Sequence, residues 1–524
     1  MNKRRNKIHP MTLLTVYDGA STIGGNKIHL EETGRGILLD FGMNFAKYGE
    51  YYQEFLKERS NRGIYDLINL DMIPKINVYR GDLITSDIDP TQWPKPSVEA
   101  TLITHAHLDH TGNVGLLRGD IPIIASTTTV AILKAMRDTS ASSIGSEVSY
   151  YSEKTPLDDC GGLVLESARG GSYTARDMYL CTEPSAELRD FASHRPGGDS
   201  KRSKTVEAGA VEHHSKLTLP FTVEPYPVDH SILGAVAYIL RGDTTIAYTG
   251  DYRLHGAGAE NTRRFISAAR DASTLITEGT RVGRESDENI TEADVLRNCL
   301  GAAESEHGLI VADFSARNFE RLQTFMEVAQ RTNRTLLVTP KDAYMLHALG
   351  CADGRCLMDT ADISIYNELR NHTRDKWETE VVSKLWGNKY VSHLTIGRSP
   401  EKYLLCFSLF DLKHLLDIKP TGGSYIYSSS EAFTEEQEFD FQRLTQWLNY
   451  FNLKPVGYTM HESKPQFIKG FHASGHLSQQ DLVKVIDQID PDKIIPVHTA
   501  NKEWFKQQYE KAITVNDGET IKIA

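Results

Sequence analysis

The sequence predicts an α/β protein in which a domain of layered sheets with outer helices is divided by a second, mostly parallel α/β domain. Up to about residue 280, short β-type runs such as 36–42 and 244–250 alternate with glycine and aspartate turns. From about 285 to 460, short apolar strands alternate with amphipathic segments such as Glu435–Tyr450, a pattern that favours a parallel sheet. The first pattern then returns around the apolar run at 493–497.

The composition limits the class of protein without choosing an activity. The 524 residues exceed one ordinary core, and no apolar run is long enough to span a membrane, so we expect no membrane partner. The net charge of −12 argues against coating nucleic acid by bulk electrostatics, but it does not exclude a nuclease, because the charge that meets phosphate is local. Six scattered cysteines without a C-x-x-C pair, and a basic N-terminus without an apolar segment, favour a cytoplasmic protein.

Residues 104–112, Thr-His-Ala-His-Leu-Asp-His-Thr-Gly, are the most informative stretch. Within it, His105, His107, Asp109 and His110 follow an apolar run, so a strand and the loop after it would present four metal-capable side chains together. Nitrogen and oxygen donors of this kind suit zinc or a neighbouring divalent metal such as manganese. The alternative is a polar loop whose histidines are only hydrogen-bonded, which the H-x-H-x-D-H spacing makes the weaker interpretation.

Three further donors stand at the ends of other apolar runs: His230, Asp251 and His498. Each alone would be taken for a turn residue, but the seven donors together predict two metal sites. One site would use His105, His107 and His230, and the other Asp109, His110 and His498, with Asp251 bridging them. Two metals about 3.5–4 Å apart can hold a hydroxide for hydrolysis of a phosphoester or an acyl bond.

These motifs resemble the metallo-β-lactamase fold and, within it, the β-CASP nuclease branch and its RNase J-like enzymes. Thr-His-Ala-His-Leu-Asp-His matches the family's main motif, while Asp40, His230 and Asp251 match three others. Glu278 and His476 match two β-CASP motifs, and His498 matches the third. The resemblance covers nearly the whole chain and implies an αββα sandwich with an inserted α/β β-CASP domain.

The resemblance also implies boundaries. We expect a first metallo-β-lactamase segment at 1–282, a β-CASP domain at 283–462 and a last metallo-β-lactamase segment at 463–524. Residues 140–220, which are rich in Ser, Gly and charged residues, are predicted to be a surface insertion that is partly ordered at best. The sequence given stops 26 residues after His498, so we expect no counterpart of the bacterial C-terminal domain. Shorter, archaeal-type relatives are then the expected analogy, and a homodimer stays open.

The family implies phosphodiester hydrolysis by metal-hydroxide attack, with 5′-phosphate products and two zinc ions per chain. In this scheme His476, kept protonated by Glu278, is the general acid, and Asp40 orients ligand histidines. His498 at the third β-CASP motif favours RNA over DNA, so the expected partner is single-stranded RNA, cut 5′→3′ exonucleolytically, endonucleolytically or both. His472 and Ser474 are the predicted phosphate contacts, followed by Ser315 and Asn318, for which helix capping is an equal alternative.

The sequence alone leaves three other functions open. A DNA-directed nuclease of the same family fits the same mechanism, because the ribose 2′-hydroxyl takes no part in it. A small-molecule metallo-hydrolase would not need an inserted domain of this size. An RNA-binding pseudoenzyme would be expected to lack metal ligands, and this sequence keeps all seven.

Overall fold

The computed structural model describes ten stretches of the chain, and the helices and strands lie within them. These stretches are residues 11–53, 56–140, 143–168, 172–197, 205–284, 289–315, 317–359, 362–371, 374–429 and 435–524. The basic cluster 201–204, within the predicted insertion, lies outside the described residues.

Two sheets face each other in the part of the chain that contains the metal-capable motifs. In spatial order, the first consists of Val211–His213, Met178–Leu180, Ile123–Ala125, Thr101–Leu102, Arg35–Phe41, Lys27–Glu32, Thr12–Asp18 and Glu519–Lys522. The second consists of Thr222–Pro227, Val236–Arg241, Thr245–Tyr248, Thr274–Glu278 and Lys493–Val497. The strand at 274–278 pairs in parallel with the one at 493–497, so the last segment of the chain completes the sheet that the earlier segment begins.

Alternation along the strands explains this layering, because successive side chains point to opposite faces. Leu14, Val16 and Leu39 of the first sheet share a core with Tyr238 and Ile495 of the second. The outer face of the second sheet packs against helices Ala259–Ala268, Gln479–Ile489 and Lys502–Gln508. The outer face of the first packs against helix Thr127–Thr139. The predicted αββα sandwich is therefore confirmed.

A third sheet, formed entirely from residues between 309 and 456, is parallel throughout. Its strands, in spatial order, are Tyr390–Ser392, Ile363–Asn367, Thr335–Val338, Tyr403–Cys406, Leu309–Asp313, Gly423–Tyr427 and Leu453–Val456. One face shares a core with helix Pro340–Asp353 and the first sheet, and the other face packs against helix Glu435–Tyr450. The predicted second α/β unit is thus present, while the boundaries at 282/283 and 462/463 stay predictions.

Local signals in the sequence set the ends of several helices. Helix Pro340–Asp353 begins with a capping box between Thr339 and Asp342 and ends at Gly354, whose φ of 77° is in the left-handed region. The remaining α-helices are Phe45–Gly49, Tyr65–Asn69, Leu108–Thr111, Ala186–Ser193, Glu292–Glu304, Phe319–Arg331, Ser383–Trp386, His393–Arg398 and Leu415–Ile418. None of the described helices combines the length and hydropathy needed to cross a membrane.

The expectation for residues 140–220 was wrong in one respect. Strands Met178–Leu180 and Val211–His213 extend the first sheet beyond Ile123–Ala125, so this part of the segment belongs to the sandwich. Arg176 is buried and donates to the carbonyls of Leu117 and Ile121. Three-residue strands within a polar segment leave the average composition hydrophilic, and this is why composition predicted a surface insertion.

Candidate active site

The seven predicted metal donors follow strands of both sheets and meet at one edge of the sandwich. His105 and His107 follow Thr101–Leu102, and His498 follows Lys493–Val497 directly. Asp251 follows Thr245–Tyr248 after a turn at Gly250, where φ is 53° and a Cβ would lie 2.6 Å from the Thr104 side chain. The turn therefore requires glycine, and it brings Asp251 over the His105 loop.

His105, His107 and His230 form the first donor group. His107 Nδ1 lies 3.0 Å from His105 Nε2 and 3.2 Å from His230 Nε2, so three ring nitrogens converge. The opposite nitrogens are held from outside: His230 Nδ1 donates to the Gly475 carbonyl at 2.6 Å, and His105 Nδ1 lies 3.1 Å from Thr104 Oγ1. Burial and the neighbouring histidines lower the pKa of His105 and His107 well below the usual value, which keeps them in the neutral form that binds metal.

Asp109, His110, Asp251 and His498 form the second group. His110 Nε2 lies 3.2 Å from Asp251 Oδ2, and His498 Nε2 lies 3.1 Å from Asp109 Oδ2. Burial acts to lower the pKa of His110, but the carboxylates of Asp251 and Asp109 outweigh it and raise that pKa well above the usual value. The same carboxylate Asp251 Oδ2 lies 3.7 Å from His105 Nε2, so Asp251 faces both groups.

The donor set fits metal ions. Asp251 Oδ1 is buried without a hydrogen-bond partner, although an unpaired buried polar atom is costly. Within each group the candidate ligand atoms all lie within 4.8 Å of one another. Five imidazoles and two carboxylates are the donors that zinc and manganese accept. A metal cofactor therefore accounts for the arrangement, and the residues that could hold it are those predicted from the sequence.

Asp40 lies behind His110 and holds that ring in one orientation. Its Oδ2 accepts from His110 Nδ1 at 2.8 Å and from the hydroxyls of Thr104 and Tyr248 at 2.9 and 2.7 Å. Because Nδ1 is engaged by Asp40, the His110 ring presents Nε2 to the metal group. Asp40 has a φ of 54° and His498 one of 51°, so both lie in the left-handed region that non-glycine residues seldom adopt.

His476 and Glu278 form a pair beside Asp251. His476 Nδ1 lies 3.0 and 3.1 Å from the two carboxylate oxygens of Glu278 and 3.9 Å from Asp251 Oδ2. The buried Glu278 also accepts from the Tyr252 and Thr280 amides. Burial acts to raise the pKa of Glu278, but the opposite effect of His476 is larger. The pKa is therefore lowered and the carboxylate is charged. The His476 side chain is 22% exposed, so it is the member of the pair that a substrate can reach.

The four predicted substrate contacts are placed differently from one another. His472 is largely buried with Nδ1 unpartnered, and burial together with Arg321 lowers its pKa to about 3. Ser474 Oγ accepts from the His476 amide at 3.2 Å. Asn318 Oδ1 caps helix Phe319–Arg331 by accepting from the Arg321 amide, and the Ser315 carbonyl accepts from the Asn318 amide. For Asn318 the structure thus shows the capping alternative, and its contact with RNA stays a prediction.

Sequence reasoning missed the residues that orient the donors. Thr104 donates to Asp40 from both its amide and its hydroxyl, and Thr280 Oγ1 lies 2.9 Å from His498 Nδ1. Tyr248 donates to Asp40 and accepts from Asn26. Thr104 is the first residue of the histidine motif and Thr280 lies two residues after Glu278, so their hydroxyl groups were a usable signal. The pairing of Tyr248 with Asp40 spans 208 residues and carries no such signal.

The αββα fold and this donor set define a metal-dependent hydrolase of the metallo-β-lactamase class. Residues 462–523 match the family described as RMMBL, the Zn-dependent metallo-hydrolase RNA specificity domain. Over 506 residues, the chain is 22% identical to ribonuclease J of Methanocaldococcus jannaschii, covering 92% of this chain and 89% of that protein. Over 498 residues, it is 20% identical to ribonuclease J of Mycoplasma genitalium, covering 93% of this chain and 68% of that protein.

A solved structure has the same overall fold. It is that of a protein of unknown function from Enterococcus faecalis V583, with a TM-score of 0.67, 20% identity and coverage of 98% of this chain and 100% of that one. The near full-length similarity to two ribonucleases J and the matched domain agree with the motifs. The chain is therefore RNase J-like: it is similar over nearly its whole length to ribonucleases J, and its motifs resemble those of the metallo-β-lactamase β-CASP group.

Proposed function

We propose that this protein hydrolyses phosphodiester bonds of single-stranded RNA at a two-zinc centre and leaves 5′-phosphate products. The observation that carries the proposal is the position of His476: it pairs with Glu278 and lies beside Asp251, the carboxylate that faces both donor groups. A proton donor next to a two-metal centre is what expulsion of a 3′ oxygen requires. The match to an RNA specificity domain supports RNA as the polymer.

The chain's own residues would prepare the metal centre. His105, His107 and His230 would hold one ion, Asp109, His110 and His498 the other, and Asp251 both; two bound ions would supply an activated water and neutralise phosphate charge. Asp40 and Thr280 fix the rings of His110 and His498 so that each Nε2 faces the centre. The centre is then organised before a substrate arrives, which lowers the reorganisation that the reaction needs.

His476 would protonate the leaving 3′ oxygen from Nε2. Its Nδ1 is held by the two carboxylate oxygens of Glu278, which leaves Nε2 to face a substrate. Glu278 is in turn fixed by the amides of Tyr252 and Thr280, so the ring has one preferred orientation. His472 and Ser474 lie in the same segment as His476 and are the proposed phosphate contacts.

The balance between 5′→3′ exonuclease and endonuclease activity, a cytoplasmic location and a homodimer are parts of the same proposal. By the resemblance to RNA-acting β-CASP enzymes, His498 at the third β-CASP motif favours RNA over DNA. The separate parallel sheet between 309 and 456 favours a polymer over a small substrate, because a small molecule would not need so large an addition beside the centre.

The proposal can be tested with one set of substrates. Zinc- or manganese-loaded protein is incubated with single-stranded RNA and DNA of one sequence, labelled internally and carrying a 5′ triphosphate, monophosphate or hydroxyl. We expect RNA cleavage with 5′-phosphate products, and mononucleotide release from the 5′-monophosphate RNA if the exonuclease mode dominates. Equal or faster cleavage of DNA would favour a DNA-directed nuclease instead. Failure of protein that holds two metals to cut either polymer would refute the proposal.

A further inference from the structure

Two buried arginines hold the segment that carries His472, Ser474 and His476. Arg253 Nη1 donates to the Ser474 carbonyl at 3.0 Å, and Arg321 Nη1 donates to the Phe471 carbonyl at 3.3 Å. Both guanidinium groups are fully buried. They approach from different parts of the chain: Arg253 follows Asp251 by two residues, and Arg321 lies in helix Phe319–Arg331 beside the parallel sheet. The segment Phe471–His476 is therefore held at both ends.

Arg253 also connects the metal donors with the parallel-sheet unit. Its Nε donates to Asp229 Oδ1 at 3.1 Å, and Asp229 directly precedes His230. Its Nη2 donates to Glu320 in the first turn of helix Phe319–Arg331. One side chain thus joins the His230 loop, the His476 segment and the helix that follows the strand at 309–313.

Only the guanidinium geometry can make these three contacts at once. A guanidinium presents five donors in a fixed plane, whereas an ammonium is a compact point charge at the end of a flexible chain. Lysine at position 253 would keep the charge needed by Asp229 and Glu320, but it could not also reach the Ser474 carbonyl with the same geometry. That carbonyl would retain one donor, the Nε2 of His255 at 2.9 Å.

The position of the segment matters because its other contacts are close to the centre. The Gly475 carbonyl accepts from His230 Nδ1 at 2.6 Å, and a Cβ on Gly475 would lie 2.8 Å from the His230 ring. His476 keeps its contact with Glu278 at 3.0 Å. A small displacement of the Ser474 carbonyl would therefore change the position of the His230 ring and that of His476, the proposed proton donor.

We propose that Arg253 is a positioning residue: through the Ser474 carbonyl it sets the distance between His476 and the metal donors, with Arg321 supporting the other end of the segment. Arg253 does not touch the substrate in this account. The consequence for RNA cleavage rests on the proposed function, but the positioning itself does not.

The test compares Arg253→Lys with Arg176→Lys. Arg176 is a matched control, because it too is buried and donates to main-chain carbonyls, and none of these carbonyls belongs to residues 470–477 or to a metal donor. Hydrogen exchange of residues 470–477 is measured by mass spectrometry on metal-loaded protein. We expect about 10-fold faster exchange in this segment for Arg253→Lys and no change there for Arg176→Lys.

Kinetics on RNA give the second readout. For Arg253→Lys we expect two metals per chain, KM within about 2-fold and kcat lower by about 10- to 100-fold, the cost of misplacing a reacting group. If Arg253→Lys does not fold, Glu320→Gln, which removes one charged partner at a less buried position, should raise exchange of 470–477 in the same direction. Unchanged exchange in the folded variants would overturn the positioning role. An inactive wild-type protein with the expected exchange difference would instead refute only the proposed function.

Discussion

Buried carboxylates at strand ends in the sandwich and in the parallel sheet differ in what surrounds them. At the edge of the sandwich, Asp251 and Glu278 lie among histidines. Burial acts to raise the pKa values of these two carboxyls, but the imidazoles outweigh it and lower both. At the edge of the parallel sheet, Asp313 ends the strand Leu309–Asp313 and accepts from the Tyr425 hydroxyl. Burial, with Asp411 nearby, raises the pKa of Asp313 to about 7.

The comparison shows that a carboxylate at a strand end is not by itself a metal site. Among the described residues, the groups of metal-capable donors all lie at the sandwich edge and include its histidines: the two donor groups described above and a third formed by Asp251, Glu278 and His476. Asp313 has a tyrosine hydroxyl in place of an imidazole, so it can hold a proton at neutral pH. One edge is therefore suited to bind cations and the other to bury a neutral acid.

The largest expected effect is the loss of the metal centre in Asp251→Asn. Because Asp251 faces both donor groups, we expect fewer than two metals per chain and a fall of at least about 1,000-fold in RNA cleavage. Metal content is measured by elemental mass spectrometry together with the initial rate. Asp313→Asn is the matched control, for which we expect two metals per chain and wild-type cleavage. Equal losses of metal and of cleavage rate in the two variants would contradict the distinction between the sandwich and the parallel sheet.

His476→Ala should separate proton donation from metal binding. We expect both metals to be retained while kcat falls by about 100- to 10,000-fold, the usual contribution of a general acid. The measurement is single-turnover cleavage of RNA with metal content determined on the same sample. If the rate stays near that of the wild type, protonation of the leaving group comes from elsewhere.

The Asp313 carboxyl should make stability depend on pH with a definite sign. The pKa of Asp313 is raised from 3.8 to about 7 in the folded state. The contribution of this carboxyl to the free energy of unfolding is therefore fully present below pH 4 and is lost as the pH rises to about 7. At about 1.4 kcal/mol per pKa unit, the loss is up to about 4 kcal/mol. The free energy of unfolding is measured with urea at pH 4 and pH 8. In Asp313→Asn it should not show this loss between the two pH values, whereas the exposed control Asp492→Asn should show the same loss as the wild type.

Asp40→Asn should weaken the metal centre without abolishing it. The amide can no longer accept from His110, Thr104 and Tyr248 as a carboxylate does, so the His110 ring loses its fixed orientation. We expect metal affinity to fall by about 10- to 100-fold. Competition with a chelator measures the affinity, and an unchanged value would show that Asp40 does not orient a ligand.

Much of this site was predictable because its residues stand at the ends of apolar runs or in compact motifs. His105, His107, Asp109 and His110 fall within six positions, and His498 ends the strand at 493–497. The parallel sheet was predictable for a similar reason, since its short apolar strands alternate with helical patterns. These features are set by residues that are close together in the chain, so they can be recognised from a single sequence.

The rest depends on contacts between distant residues or on backbone conformation. The bond from Arg253 to Ser474 spans 221 residues, and that from Tyr248 to Asp40 spans 208. The left-handed conformations of Asp40 and His498 are imposed by the folded site, because non-glycine residues seldom adopt them otherwise. The strand Met178–Leu180 is too short to show a period, and it forms because the neighbouring strand Ile123–Ala125 offers a free edge.

The most direct test of the account is anomalous diffraction from crystals of manganese-loaded protein with a non-cleavable, phosphorothioate single-stranded RNA. The account predicts two manganese peaks on either side of Asp251, with the scissile phosphate between them and the His476 ring beside its 3′ oxygen. A single metal peak, or RNA whose scissile phosphate lies away from His476, would contradict it.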